Sequence, residues 1–279
     1  MTEKGYEANK FNGGANERSE TFPTSGPVRA KIATKSGDIR AQAGEGNELQ
    51  VTLSPTSSKY DYLLEVVEVK FEAERNLLEV RTKSRDYSGS SRDKDGKRKK
   101  SWFDFGNADL DVVVNLPQGS SLEIKTISGE VSLRGPFDGV VVSSVSGDVD
   151  VIDSCGSLDV RTASGDIGTG PVRDTCNCRT ASGDVECLSA ATTTEISSAS
   201  GDVKLSVDRP GQLTVKVVSG DVAVAVARGL AVDINGTTVS GNLSSNIDLD
   251  ASGDAAREAD EISIKVTTVS GDIKINKAN

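Results

Sequence analysis

The chain has 279 residues, with 42 acidic and 32 basic side chains, no histidine and one tryptophan. This length suits one large or two ordinary domains, and no run of eighteen apolar residues that could cross a membrane as a helix occurs. Residues 1–118 hold 19 acidic and 19 basic side chains, so the whole net charge of -10 falls on residues 119–279.

The N-terminal residues carry no apolar core segment of the kind found in secretory signals. The sequence therefore predicts a disordered tail over residues 1–21 and a cytoplasmic location. The four cysteines are then expected as thiols and not as a disulfide framework.

Residues 22–118 are predicted to form an N-terminal β cap. The stretch "VRAKIATKSGDIRAQ" is an isolated first copy of a motif that recurs later, centred on Ser36. "YLLEVVEVKFEAERNLLEVRT" alternates like a hairpin that turns at residues 74–76, and "LDVVVNLP" leads into the repeats. We expect this cap to pair with the first repeats.

A polar, glycine- and serine-bearing stretch at about residues 82–107 is predicted to be a mobile loop. It joins a basic cluster to aromatic residues, a combination that can bind an anionic membrane surface. The alternative is a solvated loop whose aromatic rings pack onto the cap. The candidate residues for contact with a membrane or a partner are Lys97, Arg98, Lys99, Lys100, Trp102, Phe103 and Phe105.

Residues 119–279 repeat Ser-Gly-Asp at a spacing of eighteen, at Ser146, Ser164, Ser182 and Ser200. Apolar residues alternate with polar ones on both sides of each turn, which is typical of strands with one buried face. Because each column repeats one residue type from unit to unit, the units are predicted to stack in parallel. The fold class is therefore all-β: a single-chain parallel β-solenoid, or β-helix, with rungs of about 18 residues and an N-terminal β cap.

The turn itself explains most of the motif. Glycine adopts positive φ without steric cost, and an Asp carboxylate can accept hydrogen bonds from nearby backbone N–H groups. We therefore interpret the ladder as structural; its members are Gly147, Asp148, Gly165, Asp166, Gly183, Asp184, Gly201 and Asp202.

Two functional interpretations of the aspartates compete with this one. Calcium binding would require a richer Gly-Asp pattern than one glycine per unit. Mimicry of DNA would need about 22 charges over a rod of about 38 Å, whereas this half of the chain has a net of ten. We expect no cofactor, no metal and no nucleic-acid partner.

Cysteine positions follow the same columns. Cys176, Cys178 and Cys187 occupy inward-facing places and are expected to pack as small hydrophobes. Cys155 is expected at a corner, exposed and open to reaction.

The C-terminal turn ends the chain directly after Ile273 and Ile275. An unpaired last rung exposes backbone groups that can template another chain, so these two residues are the predicted edge for self-association. The alternative is that the insertion at residues 250–261 covers this edge.

Taken together, "SGDI" after a short strand, the entry "LPQGSSLEIKTISGEVSL" and the tandem "RTASGDI" and "RTASGDV" units resemble the DUF4097 family of bacterial β-strand-repeat proteins over about residues 22–279. The resemblance implies a β-solenoid without an established biochemical activity. Members are often described as adhesin-like, and some are associated with envelope stress.

No residue pattern for catalysis accompanies the repeats, because the abundant serines have no histidine to activate them. The sequence therefore predicts a non-enzymatic intracellular β-solenoid that acts as a structural or protein-interaction scaffold. The alternative is a membrane-surface or envelope-stress binding protein that uses the basic and aromatic loop.

Overall fold

The computed structural model describes residues 17–82, 109–247 and 261–278. These residues form an all-β structure with one short helix, which confirms the all-β part of the predicted fold. The elements before the repeats are β1 Arg18–Pro23, β2 Arg29–Ala33, β3 Ile39–Gly44, β4 Glu48–Pro55, α1 Leu63–Val66, β5 Val67–Glu72, β6 Leu77–Thr82 and β7 Leu110–Pro117, with 3₁₀ turns at Ser58–Tyr60 and Ala73–Arg75.

The repeats supply the other strands of the described part of the chain. They are β8 Ser121–Lys125, β9 Val131–Arg134, β10 Phe137–Ser143, β11 Val149–Val151, β12 Cys155–Arg161, β13 Ile167–Ser182, β14 Val185–Ser189, β15 Thr193–Ser200, β16 Val203–Val207, β17 Gly211–Ser219, β18 Val222–Val226, β19 Ala231–Ser240, β20 Leu243–Ser245, β21 Glu261–Ser270 and β22 Ile273–Lys277.

Each repeat contributes one strand to each of two ladders. The leading ladder contains the strands that precede the Ser-Gly-Asp turns, and the trailing ladder contains those that follow them. β13 is long enough to serve both, because its first residues pair with β14 in the trailing ladder and its last residues pair with β15 in the leading one. Inward residues of both ladders form the core, as in β16, where Val203, Leu205 and Val207 are buried and Lys204 is exposed.

Strands of the repeats pair in parallel at an offset of one unit. Val140 lies opposite Leu158 in the leading ladder, and Val149 lies opposite Ile167 in the trailing ladder. Equivalent residues are thus neighbours in space, and this offset of one whole unit keeps the inward apolar columns on the inner face.

The sheet as a whole is mixed. Antiparallel pairs join β1 to β4, β4 to β7, and β5 to β6. The predicted hairpin is therefore present as β5 and β6, and Asn76 at its turn adopts the left-handed conformation with φ 44°. Residues 18–21 belong to β1, so the predicted disordered tail is wrong for them; residues 1–16 lie outside the described part.

The first copy of the motif does not stack in chain order. β2 pairs with β6 on one side and β8 on the other, and β3 pairs with β7 and β9. The predicted contact between the cap and the first repeats is therefore made by β2 and β3, which lie between the later cap strands and the repeats.

The C-terminal unit is also placed out of chain order. β21 lies between β17 and β19, and β22 lies between β18 and β20. Ile273 and Ile275 are therefore interior residues with 0% exposure, and the prediction that they form a terminal edge is wrong. The outermost described strands at this end are β19 and β20.

Side-chain composition explains this order. The unit of β21 and β22 offers a full apolar set, including Ile264, Val266 and Ile275, which gains most when it is covered on both sides. The unit of β19 and β20 carries Gly236 opposite Val266 and Ser245 opposite Ile275. A sparser apolar set loses less by lying at the end of the stack.

Candidate functional site: the Ser-Gly-Asp corner

The glycine of each Ser-Gly-Asp turn sits where no other residue fits. Gly165 and Gly183 have φ values of 137° and 138°, a region that L-residues with a Cβ rarely adopt. A Cβ on Gly183 would also overlap the carbonyl oxygen of Gly165 in the preceding repeat. The absence of a side chain therefore allows successive turns to stack in direct backbone contact.

The aspartates of the turns are linked to one another along the corner. In each step the carboxylate oxygen Oδ1 of one aspartate accepts a hydrogen bond from the backbone N–H of the equivalent residue in the next repeat. Written from the donor N–H to the acceptor Oδ1, with the N···O distance, these bonds are Asp166 to Asp148 at 2.9 Å, Asp184 to Asp166 at 2.8 Å, Asp202 to Asp184 at 2.8 Å, Asp221 to Asp202 at 2.9 Å, Asp272 to Asp221 at 2.8 Å and Asn242 to Asp272 at 2.9 Å.

The same linkage begins in the cap. Asp111 Oδ1 accepts from the N–H of Asp38, and Asp38 Oδ1 accepts from the N–H of Glu130. A carboxylate that accepts a backbone N–H is a strong structural acceptor. This geometry supports a structural role for the aspartates, with each bond running to the neighbouring repeat and not within its own turn.

A column of hydroxyl side chains, two residues before the turn serines, forms hydrogen bonds to the turns. Thr126, Ser144, Thr162 and Thr180 each donate to the carbonyl oxygen of the turn serine two residues later, at 3.1 to 3.3 Å. These bonds satisfy buried hydroxyls locally and fix the entry of each turn.

A shallow acidic depression lies beside the corner on the trailing ladder. It has a volume of about 230 Å³ and is lined by Asp150, Asp166, Asp184, Asp202 and Lys204, among others. Burial raises the pKa of Asp150, and the charges of Asp148 and Asp166 raise it further. Among the described residues no group of three or more Cys, Asp or Glu side chains is arranged to hold a metal ion.

The corner carries an exposed apolar column that was not predicted from the sequence. The turn serines lie in register from repeat to repeat, so the residues just before them form one line on the outer face. We name this line the corner stripe; in spatial order it contains Ile127, Val145, Ala163, Ala181, Ala199, Val218, Val269 and Val239.

The larger side chains of the corner stripe are between 43% and 78% exposed. The signal was present in the sequence, because every one of these residues stands directly before the repeated Ser-Gly. The inward columns alone do not reveal it, since the stripe faces the opposite side of the same strands.

The four cysteines all lie in the core. Cys176, Cys178 and Cys187 are buried as predicted, and Cys155 is also buried, with 1% exposure. The expectation of an exposed, reactive Cys155 is therefore wrong. Burial raises the pKa of Cys155 to about 11, and the pKa of Cys176 is raised chiefly by its contact with Cys178. Thiols of this kind carry little thiolate at neutral pH.

The basic and aromatic candidates from Lys97 to Phe105 lie outside the described residues, so their role stays a prediction. No helix in the described part of the chain is both long and apolar enough to span a membrane.

Comparisons with known proteins point to one family and one fold. The chain is similar to the structure of a "putative adhesin" from Bacteroides fragilis, with 14% identity, a TM-score of 0.51 and coverage of 95% of this chain and 98% of the other. A "putative adhesin" from Parabacteroides distasonis is 11% identical, with a TM-score of 0.43 and coverage of 94% and 97%. A "putative lipid binding protein" from the same species is 15% identical, with a TM-score of 0.40 and coverage of 96% and 98%.

At 14% identity the likeness to the Bacteroides fragilis structure concerns the fold alone, and no curated protein matches the sequence. The model of the Toastrack DUF4097 family, in contrast, matches residues 28–276. The resemblance expected from the Ser-Gly-Asp units is confirmed, and the chain belongs to the Toastrack DUF4097 family.

Proposed function

We propose that the protein is a non-enzymatic β-solenoid scaffold that binds a protein partner along the corner stripe. The observation that carries this proposal is the exposure of the stripe: its apolar residues recur in register on the outer surface, where no burial among the described residues requires them to be apolar. A contiguous exposed apolar patch commonly marks an interaction site.

The chemistry of the corner favours binding over catalysis. The aspartates accept backbone N–H groups and the hydroxyls donate within their own turns, so these groups are engaged in holding the stack. This leaves the corner stripe as the surface available for binding. Its eight positions, at about 4.8 Å per strand, extend over about 34 Å. That length matches an elongated partner such as a strand or helix.

The solenoid description is part of this proposal. It rests on the parallel offset of one unit in both ladders and on a core that continues from repeat to repeat. The cytoplasmic location expected from the sequence stays a prediction, which fractionation of the native host would test.

The partner proposal is tested by photo-crosslinking in the native host. A photoreactive amino acid at Val145 or Val218 should give a discrete crosslinked product, because both side chains are exposed on the stripe. The same amino acid at Lys204, exposed on the outer face of the trailing ladder, is the matched control. Absence of a product at both stripe positions, or an identical product at Lys204, would contradict the proposal.

The second candidate function is binding to an anionic membrane surface through Lys97, Arg98, Lys99 and Lys100 with the neighbouring aromatic residues. It is favoured by the basic cluster beside Trp102, Phe103 and Phe105, since each basic residue near such a surface adds about 1 kcal/mol. The protein should then pellet with anionic vesicles and not with neutral ones, and replacement of the four basic residues by Ser should abolish pelleting. Equal recovery in the supernatant with both vesicle types would rule out this hypothesis.

A further inference from the structure

The C-terminal end of the stack presents a row of backbone groups. Within the described residues β19 pairs with β21 on one side, and β20 pairs with β22 on one side. The N–H of Gly271 donates to the carbonyl oxygen of Ser240 at 2.9 Å, so the backbone N–H and C=O groups of Ser240 point toward β21. Because successive residues of a strand direct these groups to opposite sides, those of Asn235, Thr237 and Val239 point away from β21.

The two strands described at this end carry few of the devices that usually block an exposed strand. Residues 231–245, which contain both strands, include one charged side chain, Asp233. Charged residues and proline are the common means by which natural sheets protect their edges. Apolar surface is present here as well, since Val239 is 78% exposed and Leu243 is 50% exposed.

The N-terminal end of the stack differs. Its outermost strands in the described part of the chain are β1, with Arg18, Glu20 and Pro23, and β5, with Glu68, Lys70 and Glu72. Each of these strands carries alternating charges that resist pairing with another chain. These N-terminal strands are therefore poorer templates for a second molecule than the C-terminal end.

We propose that two copies of the protein associate tail to tail, with β19 of one copy antiparallel to β19 of the other about a two-fold axis. Such an interface is isologous, so the same low-charge strand serves both sides and the assembly closes at a dimer. The protected N-terminal edges exclude growth into a filament. This inference rests on the unpaired side of β19 and does not require partner binding at the corner stripe, although Val239 belongs to both surfaces.

The test is analytical ultracentrifugation over a hundredfold range of protein concentration. Wild-type protein should shift from monomer to dimer mass as the concentration rises. The variant Asn235→Lys with Thr237→Lys should remain monomeric at concentrations at least tenfold higher, because the two added lysines on each copy face like charges across the two-fold axis. Lysine at position 235 lies opposite Lys265 within each copy, and this repulsion is matched in the control below because Thr214 also lies opposite Lys265.

The matched control is Ser197→Lys with Thr214→Lys. Thr214 lies in the column of Asn235 and Ser197 in that of Thr237, on interior strands β17 and β15, so the control adds the same charge away from the end. It should dimerise like the wild type. Circular dichroism should show the wild-type strand signal in both variants.

Three results would overturn the inference: a wild-type protein that stays monomeric throughout, assemblies that grow beyond the dimer, or an edge variant that dimerises like the wild type. If a variant fails to fold, a wild-type protein that stays monomeric or grows beyond the dimer still overturns the inference. Absence of a crosslinked product at both Val145 and Val218, with an intact dimer, would count against the partner proposal alone.

Discussion

The glycine and the aspartate of each turn contribute to the fold in different ways. The glycine is required by a backbone conformation and by the carbonyl oxygen pressed against it. The aspartate supplies one acceptor for a backbone N–H of the next repeat. A rigid steric requirement tolerates less change than a hydrogen bond whose acceptor oxygen can be replaced.

We therefore expect Gly183→Ala to be far more damaging than Asp184→Asn. The added methyl group would be both strained and overlapped, which costs about 3 kcal/mol of unfolding free energy. In the second variant the amide oxygen of the new side chain can still accept from the N–H of Asp202, so that change should cost about 1 kcal/mol. Chemical denaturation of both variants measures the difference. Equal losses would contradict the account of the turn.

Asp150 provides a test through pH. Its carboxylate lies over Gly168 of the next repeat, where a Cβ would overlap Oδ1, and burial together with Asp148 and Asp166 raises its pKa above the ordinary value of 3.8. A raised folded-state pKa favours the protonated form, so this group's contribution to stability is lost as pH rises through the folded-state pKa.

Asp150→Asn should therefore raise the melting temperature at pH 7 by about 1 °C, a small effect because the group is partly solvated. The gain should disappear at pH 3, where the carboxyl group is protonated in folded and unfolded chains alike. Thermal unfolding at the two pH values makes the comparison. A gain that persists at pH 3 would show that charge is not its cause.

Sequence reasoning succeeded at residues whose role repeats. Inward columns such as Val149 and Ile167 were predicted because period-two alternation reports burial directly. Cys155 was misplaced because it belongs to a third inward line, with Phe137 before it and Val172 after it. That line lies at a corner, where the alternation of the two flanking strands gives no information.

At the scale of elements, the position of each strand in the sequence was easier to predict than the strand with which it pairs. The stacking of equivalent columns indicates parallel pairing, and chain order was the natural guide to which repeats touch. After a long connection, chain order no longer indicates which repeats are neighbours, since a unit that follows an insertion can lie between two earlier units of the stack. Burial on two sides then decides the order, and the unit with Ile273 occupies the inner place.

This order predicts unequal costs for two equivalent residues. Ile273 is fully buried between β18 and β20, whereas Leu243, directly opposite it, is half exposed. Ile273→Ala should lower the unfolding free energy by about 3 kcal/mol, and Leu243→Ala should lower it by about 1 kcal/mol. Chemical denaturation distinguishes the two. A larger loss at Leu243 would place its strand in the interior and reverse the order.

At the scale of the whole molecule, the ladders describe a stack in which each unit contacts its neighbours. In such an arrangement stability is approximately a sum of units and interfaces, so units can be removed without loss of the architecture. A structure whose strands close on themselves would not tolerate the removal, because every strand completes the closure.

Deletion of residues 165–182 tests this property of the whole chain. The deletion is one full repeat, and it joins Ser164 directly to Gly183, which recreates a Ser-Gly-Asp turn. Asp148 should then accept from the N–H of Asp184. Strand β12 should pair with β15, in the register in which each pairs with β13 in the wild-type protein. We expect a folded protein with cooperative unfolding and a melting temperature lower by a few degrees.

The control is deletion of residues 165–173, half a repeat of nine residues. It joins Ser164 to Asp174, so the backbone conformation of Gly165, with φ 137°, falls on a residue with a Cβ, and the next Ser-Gly-Asp turn is displaced by half a repeat. This variant should fail to fold, as judged by circular dichroism and hydrogen exchange. If the full-repeat deletion also fails to fold, the units are not independent, and the stacked solenoid that underlies the proposed scaffold is wrong.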